Sequence, residues 1–363
     1  MKKLILLIFT LPLFLLSCTT GVKIDYLAPS EIDMSSYRTV AIASCVPYTK
    51  TKNPGLIIRN LDVFSDVDYV YQSGYNGKRF AKKSSEYVTD LFETTLKGTG
   101  YFTVIGHEVT DSIISASKKG YDIKPFIQSY NIDAIIIPKI SYAEIDEAIE
   151  SDEYTTRVKN ASGEYVETIA YRYILHQSVS ITVSYTIIDT ATMEVYSTKK
   201  LQGYRKEQSD TNHFSNVGKD PLQIAKKIIY SFDEDLIVDL VPHRMVAEFN
   251  LVKNKPKLDE AKAVYKIVNK NPAFAELEFK RLYDTYGHIP SGVNAAILKA
   301  KNMDYDGAIE LLGNIYSASG DRNAYSLLES VKCMKTQTTL ATKQFERVGN
   351  KTDRNIFQTI MDE

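Results

Sequence analysis

Residues 179–195 read Val179-Ser180-Ile181-Thr182-Val183-Ser184-Tyr185-Thr186-Ile187-Ile188-Asp189-Thr190-Ala191-Thr192-Met193-Glu194-Val195. Val179, Ile181, Val183, Tyr185 and Ile187 alternate with Ser180, Thr182, Ser184 and Thr186. That period of two gives a strand with one apolar face and one hydroxyl face. Asp189 to Thr192 is turn sequence, so Met193 to Tyr204 is predicted to return as the hairpin partner.

Outward from this hairpin, the pattern alternates between strands and helices. Arg38 to Ser44 and Asp133 to Pro138 are short apolar runs, rich in β-branched residues, and predict buried strands. Tyr101 to Ile105 predicts another. Phe80 to Leu96 places Phe80, Ser84, Tyr87, Val88, Leu91, Phe92, Thr95 and Leu96 on one helical face. Gly98 and Gly100 stop that helix. Ile123 to Tyr130 predicts a short helix with Pro125 in its first turn. Residues 142–170 form a charged excursion with Gly163 as its turn. Asp220-Pro221 predicts an N-cap followed by a first-turn proline. The helix that follows has a buried stripe of Leu222, Ala225, Ile228, Ile229, Phe232, Leu236, Ile237 and Leu240. Residues 45–78 are a long connection carrying Tyr48, Tyr69, Tyr71 and Tyr75, and connections of this length are often functional.

This order resembles the CsgG-like periplasmic fold of curli-secretion lipoproteins and of LpoB-type lipoproteins that activate peptidoglycan synthases. The matching pieces are Thr39-Val40-Ala41-Ile42, Gly100 to Ile105, Asp133 to Ile137, and the hairpin Ile187 to Val195. The family usually carries glycine where Met193 stands. The resemblance covers roughly residues 36–242 and implies a fold with no catalytic residues; fold alone does not establish function.

Beyond residue 242 the sequence turns helical. Arg244–Val252, Leu258–Val268, Ala273–Tyr286, Val293–Asn302, Gly307–Ser317 and Ala324–Lys335 are predicted helices, separated by short Asn, Gly and Pro breaks. Asn294 to Ala308 resembles a tetratricopeptide repeat, with Ala296 and Ala308 at helix contacts and Tyr305 at the aromatic position of the turn. Leu258-Asp259-Glu260-Ala261 echoes Tyr305-Asp306-Gly307-Ala308. The two alanines are 47 residues apart rather than one 34-residue repeat, so a further unit intervenes. A helical hairpin array without repeats is the alternative.

The first twenty residues carry an address. Lys2 and Lys3 precede an apolar run from Leu4 to Leu16, the size of a signal-peptide core and short for a membrane span. Leu15-Leu16-Ser17-Cys18 resembles the bacterial lipobox, which implies cleavage before Cys18 and its lipidation. Leu16 departs from the commoner small residue. Diacyl and amide-linked chains together anchor stably, where one chain is marginal. Thr19 stands where enteric bacteria use a retention aspartate, so the expectation is the outer membrane, facing the periplasm.

The 363-residue chain has 44% hydrophobic and 25% charged residues, a globular composition that excludes wholesale disorder. A net charge of -1 gives no broad attraction to nucleic acid. Three cysteines make no disulfide framework. Apart from Cys18, Cys45 and Cys333 are expected as buried thiols, with a disulfide between them the alternative. His107, His176, His213, His243 and His288 share no metal-ligand spacing, and no nucleophile elbow, P-loop or dinucleotide fingerprint appears. Glu144, Asp146, Glu147, Glu150, Asp152 and Glu153 form the densest acidic cluster. Paired carboxylates suit glycan hydrolysis or calcium, but a solvated hairpin face is the plainer reading.

The expectations are therefore a signal peptide over 1–17, a lipidated tether over 18–36, a CsgG-like α/β domain over 37–242 and a tetratricopeptide-like helical domain over 243–363. The expected function is a non-enzymatic adaptor for protein partners in envelope assembly or secretion, with no cofactor and no metal. Its partners are the membrane, through Cys18, and an envelope protein, contacted by Tyr69, Tyr71, Tyr75 and Tyr305. A CsgG-type secretion-pore subunit and an envelope glycan-processing enzyme are the alternatives. Arg157, Lys159, Glu164 and Glu167 count against the pore, because a membrane-crossing strand needs a continuous apolar outward face.

Overall fold

Val183 pairs with Ile140 on one side and Leu201 on the other in a long mixed sheet of the computed structural model, which describes residues 21–48, 55–59, 70–72, 77–211 and 220–348. Along the chain the elements are β1 (Gly21–Ala28), β2 (Thr39–Ile42), β3 (Gly55–Arg59), β4 (Val70–Gln72), α1 (Gly77–Gly98), β5 (Thr103–Ile105), α2 (His107–Lys118), α3 (Lys124–Ser129), β6 (Ala134–Lys159), β7 (Tyr165–Asp189), β8 (Val195–Thr211), α4 (Pro221–Tyr230), α5 (Asp233–Leu240), β9 (His243–Asn250), α6 (Asp259–Ile267), α7 (Pro272–Tyr286), α8 (Ile289–Lys301), α9 (Tyr305–Ser319) and α10 (Arg322–Val348). The fold is mixed α/β with C-terminal helices.

The chain divides into two compact units that are discontinuous in sequence. The sheet unit comprises Pro29–His243 and Ala341–Glu363; the helical unit comprises Met1–Ala28 and Arg244–Leu340.

In the sheet unit the strand order is β4-β3-β6-β2-β5, with β7 on β6 and β8 on β7. β2 is parallel to both β5 and β6, whereas β6, β7 and β8 form an antiparallel meander. The alternation at 179–187 has its predicted cause. Val179, Ile181, Val183, Tyr185 and Ile187 are buried, while the hydroxyl residues between them are partly exposed. Their face packs with Phe80, Val88, Leu91 and Phe92 of α1 and with Leu222, Ile228, Phe232 and Leu236 in one core. The other face of the sheet carries a smaller core of Ala41 and Ile135 with Ile113, Ile123 and Ile127. Asp220 caps α4 as its sequence predicts, accepting from the Leu222 amide at 3.0 Å, with Pro221 next. Gly203 of β8 lets α4 approach closely: a Cβ there would stand 2.3 Å from Ile228 Cγ2 and 3.1 Å from the Phe232 ring.

The predicted stripe from Leu222 to Leu240 is buried except for Ile237, which is partly buried, and it belongs to two helices, broken at Ser231-Phe232. The last turns of α10 also join this unit. Gln344 accepts from the Ser30 amide at 3.0 Å, and Phe345 stacks edge-on against Tyr101 at 5.4 Å.

In the helical unit, α7 opens on Asn271, whose side chain accepts from the Phe274 amide at 3.1 Å, and closes on Gly287 at φ +62°. Asp304 caps α9 through the Gly307 amide at 2.9 Å, and Gly320 closes it at φ +67°. These are the expected start and stop signals. Ala261, Ala296 and Ala308 are fully buried between helices, as their small size predicts.

Two expectations give way here. Residues 21–28 are strand β1 rather than tether, and 29–36 lie in the sheet unit with Ile32, Met34 and Ser35 buried. Residues 244–250 belong to strand β9 rather than to a helix, and β9 pairs β1. Gly21 lies against Glu248 while Asp25 pairs Arg244 at 2.7 Å, so the two strands run antiparallel. β1 is held by Val22 and Ile24, both buried in the helical core; burial of each contributes roughly 1.5–3 kcal/mol.

Candidate functional site: the β6–β7 ribbon

The charged excursion is a ribbon. Asn160 to Glu164 makes the turn, with Gly163 at φ +85° and the Asn160 amide donating to the Glu164 carbonyl at 2.8 Å. That turn fixes an unbroken register from Ser151↔Tyr173 to Lys159↔Tyr165. Among the described residues, β3 pairs β6 only as far as Glu150, and β8 pairs β7 only as far as Tyr173. The nine residues of β6 beyond Glu150 extend about 30 Å at the usual strand rise.

The register sorts the side chains. Tyr154, Thr156 and Val158 face Ala170, Thr168 and Val166 on one side. The reverse side carries Glu153, Thr155, Arg157 and Lys159 opposite Tyr171, Ile169, Glu167 and Tyr165. Arg157 bonds Glu167 at 3.0 Å, and Lys159 Nζ lies 5.3 Å above the Tyr165 ring. One side is thus uncharged from Tyr154 to Val158 and from Val166 to Ala170, ending at the Asp152↔Arg172 position, while Glu153, Arg157, Lys159 and Glu167 sit on the other side and Glu164 in the turn. Tyr154, Val158, Tyr165, Val166, Ile169 and Tyr171 are 41–67% exposed. A two-stranded ribbon is marginal alone in water, and exposed apolar rows of this kind mark contact surfaces.

At the neck the acidic cluster comes apart. Glu147 points into the core at 1% exposure and accepts from Gln177 Nε2 at 2.6 Å. Burial raises its pKa, with Asp146 and Asp220 adding to the effect and the Gln177 bond opposing it. Glu144, Asp146 and Glu150 are exposed on the opposite face. There His176 Nε2 meets Glu150 at 2.9 Å, and its Nδ1 meets Gln208 at 3.0 Å. The cluster is therefore split between two faces of one strand, and Glu147 with Glu150 is no carboxylate pair facing a common space.

The remaining histidines sit singly. His107 bonds Glu93 at 2.6 Å at the start of α2, which together with the His107 amide helps hold the Glu93 carboxyl below its usual range against the opposing effect of burial. His243 meets the Val241 carbonyl at 3.1 Å, and His288 bridges Ser291 and the Pro256 carbonyl. His213 lies outside the described residues. Among the described residues, no group of three or more His, Cys, Asp or Glu is placed to hold a metal, and no helix is long and apolar enough to cross a membrane.

Cys18, Tyr69 and Tyr75 lie outside the described residues, and Tyr71 is described only as backbone in β4. Tyr48 packs near Tyr142, ring centroids 6.1 Å apart. Tyr305 is 8% exposed in the helical core, and its hydroxyl pKa is raised by that burial, so its ring is a packing group rather than a surface one. Cys45 is a buried free thiol, pushed up to about 12 by burial; Cys333 is free and exposed rather than buried. A concavity of about 380 Å³ lies between α2 and α3 and is lined mainly by Val109, Ile113, Ala116, Phe126 and Tyr130.

No family model matches the chain, and no curated protein matches it. Among solved structures it is similar to the PelC dodecamer from Paraburkholderia phytofirmans and to a leucine-to-methionine variant of it. Each is 13% identical with a TM-score of 0.23, over 61% of this chain and 96% or 97% of that chain.

Proposed function

We propose that this chain is a non-enzymatic, lipid-anchored adaptor of the bacterial envelope, on the periplasmic side of the outer membrane, and that the β6–β7 ribbon is where it holds a protein partner. The exposed rows of the ribbon carry this reading. Tyrosine side chains supply contact area at small entropic cost, and a ribbon that the described residues leave uncovered gains most from a partner. Lys2, Lys3, the apolar run and Cys18 support the anchor. The CsgG-like order of the sheet unit and the tetratricopeptide-like helix pairs belong to the same reading.

The test is gentle detergent extraction of the acylated protein, followed by native mass measurement and identification of what co-purifies. A defined envelope protein that is retained by the native chain and lost from Val158→Lys/Val166→Glu supports the adaptor. Equal recovery from both chains removes the ribbon from the account.

One observation favours the pore reading: Arg157, Lys159 and Glu167 all lie on the reverse face and leave the Tyr154 face uncharged. That face runs for five positions per strand, from Tyr154 to Val158 and from Val166 to Ala170, whereas crossing a bilayer takes about 9–11 residues per strand. The adaptor remains the better reading, and a large closed ring without other subunits in the same native mass measurement would reverse the order.

A further inference from the structure

We infer that the helical unit is the part of the protein held against the membrane, and that the surface around Lys23 at the start of β1 faces the phospholipid headgroups of the leaflet that receives the Cys18 acyl chains. The inference rests on the lipid-anchor reading of Cys18. Three peptide units separate Cys18 from Gly21, and in any conformation they span at most about 11 Å. A tether running to Ser36 would have allowed about 60 Å of reach.

β1 supplies no further slack. Val22 and Ile24 are buried in the same core as Phe279, Leu282 and Leu298, so the strand cannot lengthen the leash without leaving that core. Lys301 Nζ donates to the Lys23 carbonyl at 3.1 Å and fastens the strand to the end of α8. The surface at this end suits a headgroup layer. Lys23 and Lys301 are exposed, and Val246 of β9, two residues from the Glu248 that flanks Gly21, is 52% exposed. Lysine stems lie along apolar surface while their ammonium groups reach phosphate oxygens.

The test uses the full acylated chain. Lys23→Cys carries an NBD fluorophore in a Cys333→Ser background, which removes the exposed thiol. The protein is reconstituted in phosphatidylethanolamine–phosphatidylglycerol vesicles with and without a headgroup-nitroxide lipid. The expected result is about a twofold loss of emission with the nitroxide, and recovery when twenty Gly/Ser residues, with a root-mean-square span of about 25 Å, are inserted after Thr20. Mass spectrometry of the same sample reads the acyl chains on Cys18. Acylated protein with an unquenched Lys23 label, or with quenching that the insertion leaves unchanged, overturns the inference and leaves the anchor standing. Absence of acyl chains on Cys18 overturns both.

Discussion

Val158 and Val166 stand directly opposite each other across the ribbon, both close to half exposed, while Arg157 and Glu167 pair on the reverse face. Among the described residues nothing covers this cross-strand valine pair. Replacing them by lysine and glutamate, an opposite-charge cross-strand pair, should therefore leave the fold intact, because surface substitutions away from the core change stability by only about 0.5 kcal/mol. Partner recovery should fall sharply while the thermal midpoint holds. A large drop in midpoint would mean that the ribbon is covered within the protein itself.

Two carboxylates predict opposite pH behaviour. Asp189 is held below the usual aspartate range, chiefly by the Thr192 amide, with the Ala191 amide and Tyr37 hydroxyl assisting. Its contribution is present at neutral pH and is lost as pH falls through that lowered value. Asp189→Asn should flatten the acid side of the stability profile. Glu147 is raised by burial, so the folded chain favours its protonated form, and stability falls as pH rises from the ordinary glutamate range through the raised value. Glu147→Gln keeps an acceptor for Gln177 and should raise stability at pH 7. Urea midpoints from pH 3 to 8 read both signs.

Gly203 predicts a packing cost. A Cβ there meets Ile228 and the Phe232 ring. Gly203→Ala should destabilise by about 1–3 kcal/mol, the usual range for overpacking a filled core, and Ile228→Leu, which removes the Cγ2 methyl at similar volume, should recover part of that loss. Chemical denaturation of the two single variants and the double variant measures the coupling.

Met193 sits at φ +60° in the hairpin turn, a conformation that disfavours side chains. Met193→Gly should stabilise by up to about 1 kcal/mol, the relieved strain being partly offset by glycine's extra entropy in the unfolded chain. An unchanged or lower urea midpoint would show that the Met193 side chain contributes contacts worth the strain.

The readable parts of the fold were local ones. The alternation at 179–187, the Asp220-Pro221 start of α4, the Gly163 turn and the caps of α7 and α9 each depend on neighbours within a few residues. β1 and β9 were not legible as a pair because more than two hundred residues separate them; Met245-Val246-Ala247-Glu248-Phe249 is strand where it pairs β1. The sorting of charges on the ribbon was available in principle. Once Asn160–Glu164 is the turn, period two sends Arg157, Lys159 and Glu167 to one face and Tyr154, Val158 and Val166 to the other. Counting charges along 153–170 without that register hid the uncharged face. Tyr305 shows the reverse limit: a tyrosine at a turn can belong to a surface or a core, and only packing decides.

The most direct test of the account is photo-crosslinking in living cells, with a benzophenone amino acid at Val158 and, for comparison, at Tyr121 of the sheet unit. The account predicts one discrete adduct with an envelope protein from Val158 and none from Tyr121. No adduct from Val158, in cells where the protein is acylated and folded, would contradict it.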